Sequence, residues 1–312
     1  MNTRLDRAVE LPVLGITTCF TTNSASVATL IDEAFGEWRG TVPLSDVRLR
    51  VNIAVHDGSE GADVPAHVRY LSTDSNRLLV HSPGSMAVSD ARRGESVAYV
   101  TEELVADRDH FRTTFLEAMV FALLAPFDRH PVHAAALVQA DRTVLLAGPS
   151  GTGKSTIAYL AHTAGLGVLS DEMVWVQMRP TLRIWASGAC ARLGPDARLH
   201  FPELAVAAPL PGTDPLRKTT IRLDATARPL RDASTSAVVC VLARGSRAAL
   251  ERLEAPAVVA DLTRQLAGGF DRFPERQDAV FAALALGGGW RLTLSDNPHD
   301  ALPYLKRMLE SL

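Results

Sequence analysis

Residues Gly148, Pro149, Ser150, Gly151, Thr152, Gly153, Lys154, Ser155 and Thr156 spell G-x-x-x-x-G-K-S-T. Each residue type in that run has a use in holding phosphate. Gly151 and Gly153 let the backbone turn without a Cβ clash, so successive N–H groups can converge on an anion. Lys154 supplies a mobile positive charge for the β- and γ-phosphates, and the Ser155 hydroxyl can complete the coordination of Mg²⁺. A helix opening near Lys154 adds the positive end of its dipole at the same point. A glycine-rich turn with no ligand would leave Lys154 and Ser155 at these offsets without a reason.

Three further residues are spaced around the loop. His133 lies 21 positions before Lys154, and Asp171 and Glu172 lie 17 and 18 positions after it. Phosphoryl transfer needs a metal to neutralise phosphate charge and a group to take the proton of the nucleophile. One carboxylate can serve each need, which assigns Asp171 as general base and Glu172, with Ser155, to the metal. His133 either orients Asp171 or keeps it ionised by hydrogen bonding. Taken singly, such a histidine is more often a satisfied core residue, and such an acidic pair is as often an exposed turn. Their joint placement around the loop favours a site.

Cationic residues follow: Arg192, Arg198, His200, Arg217 and Lys218. One or two could clamp the transferring phosphoryl group, Lys218 first, while the rest form a solvated basic loop. Trp175 and Trp185 suit either the flanks of a nucleotide base or, more commonly, a core. His162 would complement a helix C-terminus. His110, His130, His200 and His299 have no ligand spacing, and no structural metal is expected.

The elements that must carry these residues are legible. Residues 143–147 are apolar and partly β-branched, as a buried strand requires, and 157–164 have helical spacing with Gly165 to end the helix. Short strands are predicted at 166–170 and 173–176. Ligands in open α/β sheets bind beyond the carboxyl ends of strands, which places the acidic pair at the loop. Before this region, strands are predicted at 11–19, 47–55, 68–71, 78–80 and 97–100, with helices at 26–38 and 108–124. The Pro-bounded segment 126–131 divides a domain of residues 1–127 from one of 128–312. Residues 179–215, rich in Pro and Gly, predict long loops without regular structure. Beyond them come strands at 219–223, 238–242 and 291–294, and helices at 256–265, 278–285 and from 301.

With 312 residues, 47% apolar and 21% charged, the chain has material for a full core. A net charge of −3 argues against a general nucleic-acid surface. Cys19, Cys190 and Cys240 have no metal spacing and suit a reducing cytoplasm. The first residues have no long apolar core, and the most apolar helix candidate, 115–127, is too short to span a bilayer. No membrane association is expected.

From His133 to Val176 the chain resembles the HPr kinase/phosphorylase family. The resemblance rests on His133 with the apolar run after it, the loop from Leu146 to Thr156, and Gly167 to Glu172. It looks closer to the diverged HPr-kinase-like proteins, some of which modify peptides in biosynthetic clusters. It implies an α/β fold: a P-loop kinase domain of the HPr-kinase type with a smaller N-terminal α+β domain. It also implies ATP (or GTP) with Mg²⁺, a peptide or protein acceptor modified on serine, and a homo-oligomer. In that family the first acid is the catalytic base and the histidine helps set its ionisation, which maps onto Asp171 and His133. Two departures stand out. Glu172 replaces the usual second Asp, and residues 183–194 replace the Gly-rich signature of the bifunctional enzymes, so the kinase activity is what carries over. The same loop and acids would also serve a small-molecule kinase, and the loop alone a nucleotide-gated regulatory protein.

Overall fold

The computed structural model describes residues 4–58, 68–74, 76–186, 190–205, 219–223, 232–234, 236–265 and 276–311. The chain divides into two compact units, Met1–Arg129 and His130–Leu312.

The first unit is built on a mixed sheet of β1 (Arg7–Val13), β2 (Ile16–Thr22), β3 (Arg48–His56), β4 (Arg69–Asp74), β5 (Arg77–Ser82), β6 (Ser85–Asp90) and β7 (Glu95–Thr101). Their order is β1-β2-β3-β7-β6-β5-β4. Alternate residues such as Leu49, Val51 and Ile53 are buried, as a sheet covered on one face demands. The helices α1 (Ala25–Phe35), α2 (Glu102–Ala106), α3 (Arg108–Phe111) and α4 (Glu117–Leu124) follow the strands, and α1 and α4 pack on the sheet. Ser24 caps α1 by accepting the Val27 N–H, and Val27, Leu30, Ile31 and Phe35 form its buried face.

Three expectations change here. The predicted strand 11–19 is a hairpin that turns at Leu14 and Gly15, both left-handed with φ of +48° and +76°. That is the backbone of a primed two-residue turn, but with Leu where Asn or Asp would have signalled it. Strand β6 was not expected at all. The predicted helix 108–124 is interrupted by a π turn at Arg112–Leu116, where the Thr113 and Thr114 hydroxyls donate back to the carbonyls of Asp109 and His110.

The second unit contains β8 (His130–Val132), β9 (Ala134–Gln139), β10 (Arg142–Ala147), α5 (Lys154–Thr163), β11 (Gly167–Ser170), β12 (Val174–Gln177), β13 (Arg183–Trp185), β14 (Cys190–Leu193), α6 (Ala197–His200), β15 (Thr219–Arg222), β16 (Asp232–Ser234), β17 (Ser236–Arg244), β18 (Ala249–Leu253), α7 (Ala255–Arg264), α8 (Gln277–Ala285), β19 (Gly289–Leu294) and α9 (Leu302–Glu310). The main sheet runs β11-β9-β10-β17-β19-β18, a second runs β16-β13-β12-β8, and β14 pairs with β15 alone. Segment 179–215 therefore holds short elements, β13, β14 and α6, among its described residues, contrary to the expectation of loops only.

Both faces of the main sheet are covered, which explains why its strands read as continuous apolar runs. Ala135, Leu137, Val144, Leu146, Cys240 and Leu242 face α5 and α9 on one side. Ala134, Ala136, Val138, Leu145, Val239 and Val241 face α7, α8 and the second sheet on the other. Arg142, at the start of β10, donates to the carbonyls of Leu309 and Glu310 and so caps the C-terminus of α9. No helix among the described residues is long and apolar enough to cross a membrane.

Candidate functional site

Strand direction brings the chemical residues to one edge of the main sheet. β9 runs antiparallel to β10 with Ala134 opposite Ala147, so His133 precedes β9 where Gly148 follows β10. β11 is antiparallel to β9 in turn, with Ser170 opposite Ala136, so Asp171 and Glu172 leave β11 at that same edge. Helix α5 is the crossover between β10 and β11, which are parallel to one another through β9. The 21-residue gap before Lys154 and the 17-residue gap after it are the lengths of a hairpin and of a crossover.

The loop has the backbone its glycines allow. Gly151 and Gly153 have φ of +83° and +116°, where a side chain would be strained. Thr152 closes the turn, its N–H and hydroxyl both donating to the Pro149 carbonyl at 3.2 and 2.7 Å. Gly153 is the N-cap of α5, and its carbonyl accepts the first helical N–H, from Ile157. Lys154 is buried, and its ammonium donates to the Gly148 carbonyl at 2.6 Å. The lysine is thus folded along the loop that precedes it, beside the helix N-terminus.

Asp171 is buried at 6% exposure. Its carboxylate accepts from the Arg192 backbone N–H at 3.0 Å. Burial raises its pKa above the ordinary aspartate value, with the negative charge of Glu172 adding to the rise and the Arg192 N–H and the nearby Ser155 hydroxyl opposing it. Glu172 is more exposed and reaches outward to the Arg192 guanidinium at 3.0 Å. That pair is solvated and worth about 0–1 kcal/mol, so Glu172 is readily released from it. Strand β14 therefore holds both acids, Asp171 through its main chain and Glu172 through a side chain. Burial also lowers the His133 pKa, and the nearby Lys154 charge lowers it further, while Glu172 opposes the shift. His133 is neutral at pH 7.

The oxygen donors here, the Ser155 hydroxyl and the Asp171 and Glu172 carboxylates, fit a hard cation such as Mg²⁺. That ion characteristically takes one or two carboxylates together with substrate phosphates. Among the described residues no group of three or more His, Cys, Asp and Glu could hold a metal by itself. The sequence reading gave Glu172 the metal and Asp171 the proton; of the two carboxylates it is the buried Asp171 whose pKa the Ser155 hydroxyl lowers.

The remaining sequence candidates divide. Arg192 reaches the acids. Arg198 is exposed on α6, and the carbonyl of His200 lies 3.2 Å from His299 Nε2. Arg217 and Lys218 lie outside the described residues. Trp175 and Trp185 are both buried, and Trp185 donates to the Gln177 side chain at 3.1 Å. Two residues of β17 that the sequence reading passed over also meet the loop. Leu242 Cβ stands 3.4 Å from where a Cβ on Gly148 would be, and Arg244 Nη2 stands 3.1 Å from the same position on Gly153. Nothing in the sequence signals this, because it depends on β17 lying parallel beside β10.

No family model and no curated protein matches the chain. Among solved structures, the chain is similar to the Hpr(Ser) kinase/phosphatase from Coxiella burnetii, at 12% identity and a TM-score of 0.29, over 58% of this chain and 94% of that one. At that score the likeness adds nothing to the geometry, which is a glycine-rich loop with an acid pair and a histidine at one sheet edge.

Proposed function

We propose that the chain is an ATP-dependent phosphotransferase that moves the γ-phosphoryl group to a hydroxyl of a peptide or protein, serine first. The observation that carries this reading is the meeting at one sheet edge of the loop that follows β10 and the buried carboxylate of Asp171 that follows β11. A loop that only bound nucleotide would need no buried carboxylate at that point. Mg²⁺ would be held by Ser155 and a carboxylate, and it would supply neutralisation of phosphate charge. Lys154 and the N–H groups at the start of α5 bind the polyphosphate. Asp171 takes the acceptor hydroxyl proton, a role suited to a carboxylate whose burial makes it more basic. His133, neutral and beside Lys154, positions the acids without adding charge.

Transfer of labelled γ-phosphate from Mg-ATP to size-fractionated lysate tests this, with Asp171→Asn alongside. Label is expected in a peptide or protein fraction, reduced about 10²–10⁴-fold by the substitution. Label confined to small molecules would move the acceptor class, and undiminished transfer by the variant would remove Asp171 from the reaction. The nearness of the Ser155 hydroxyl to Asp171 favours a second assignment, with Asp171 on the metal side and Glu172 taking the proton. In that case Asp171→Asn weakens the Mg²⁺ dependence of nucleotide binding, which loss of a base would leave intact.

A further inference from the structure

The acids approach the phosphate loop from β11, on one side of β10. On the other side, β17 runs parallel to β10 with Val241 opposite Ala147, so it continues three residues past the end of the loop strand. Those residues are Leu242, Ala243 and Arg244. Leu242 abuts the first glycine of the loop and Arg244 the last, so the tip of β17 follows the loop from Gly148 to Gly153. The exposed guanidinium stands there with Nη2 at 3.1 Å and Cζ at 3.7 Å from the Cβ position of Gly153, where Leu294 Cδ1 also stands at 3.2 Å.

Arg244 is exposed at the mouth of the loop, where cations are already gathered. The N-terminus of α5 is the positive end of a helix dipole, and Lys154 begins that helix. Arg244 adds a second full positive charge beside both. Among the described residues it has no carboxylate partner and no hydrogen bond, in contrast to Arg192, Arg264 and Arg291 of the same unit, each of which is paired. A cation held against a cationic helix end without a counter-charge is stabilised by an anion bound at that end. Guanidinium presents several N–H donors in a plane and suits phosphate oxygens better than water does.

We propose that Arg244 is a phosphate-contacting residue of the nucleotide site, acting in cis on the polyphosphate held by residues 148–156. The proposal rests on the phosphotransferase reading and names a further residue for it. In the transfer, the bond from the γ-phosphorus to its bridging oxygen breaks and one to the acceptor oxygen forms. The acceptor proton goes to a carboxylate of the acid pair. Arg244 takes no proton and offsets the negative charge on the phosphate oxygens, as an arginine inserted at that charge does elsewhere. Acids on β11 and a cation on β17 thus flank the loop from opposite neighbours.

The full-length protein, Arg244→Ala and Arg244→Lys are titrated with Mg-ADP and with the non-hydrolysable Mg-AMP-PNP, and each variant's thermal unfolding is recorded. Arg244→Ala is expected to unfold like the intact protein yet to bind the nucleotides about tenfold more weakly, the loss of one charge-assisted contact. Low millimolar guanidinium is expected to restore part of the affinity to Arg244→Ala, and Arg244→Lys to fall between the two. Equal affinity in Arg244→Ala and the intact protein overturns the proposal. So does a loss that guanidinium leaves untouched and that Arg244→Lys shares in full, because Arg244 would then only shape the loop. Binding of neither nucleotide by the intact protein overturns the phosphotransferase reading and this proposal together.

Discussion

Asp171 is a buried carboxylate at the loop's edge, and its burial has an energetic cost. Its folded pKa is raised, so the folded state binds the proton more tightly than the unfolded chain does. Stability therefore falls as pH rises from the ordinary aspartate value of 3.8 through the raised one, and at neutral pH the ionised group opposes folding. Asp171→Asn keeps the shape and removes the charge. It is expected to raise the melting temperature at pH 7 while abolishing transfer, with the stability gain shrinking as pH falls toward 4; thermal melts across that range check it. A variant less stable than the intact protein at pH 7 would mean the carboxylate is structural. His133 runs the other way. Its lowered pKa means the unfolded state binds more protons just below pH 6.5, so its contribution to stability grows as pH rises through that window. At this scale spacing picked out Lys154, Ser155, Asp171 and His133, and the strand directions bring those positions to one sheet edge. Partners were not legible. The hold of Arg192 on both acids depends on β14 lying beside the end of β11.

Elements were readable where periodicity and punctuation agree, and misread where they conflict. The loop strand, α5 and β11 have apolar runs closed by glycines, and each was found within a residue or two. The hairpin at Leu14 and Gly15 was read as one strand because its turn begins with an apolar residue that carries positive φ. β6 was missed because Met86 and Val88 are exposed while Ser85, Ala87 and Ser89 are buried, which inverts the usual pattern of polarity. The amphipathic helix α9 illustrates how packing supports the site from a distance. Leu305, Met308 and Leu309 are buried against the same layer as Ile157 and Leu160 of α5. Met308→Ala is expected to cost about 2–5 kcal/mol in chemical denaturation, with nucleotide affinity unchanged in the folded fraction. A cost near zero would show that α9 does not help to hold α5 in place.

At the scale of the whole molecule, the second unit places chemistry by topology rather than by sequence neighbourhood. One antiparallel strand, β9, inserted beside the loop strand turns His133 and the acid pair to the edge where the glycine-rich loop leaves β10. β17 delivers Arg244 to the same edge from the other side. The order of strands could not be read from the chain, because continuous apolar runs fit any interior position of a two-sided sheet. The first unit contributes a sheet with its own helical cover. All of this depends on the loop holding a nucleotide polyphosphate. The most direct measurement is calorimetric titration of Mg-ATP into the intact protein and Lys154→Ala. Saturable binding by the intact protein, weakened about tenfold to a hundredfold in the variant, is the predicted result. Equal affinity in the two proteins, or no binding in either, would contradict the account.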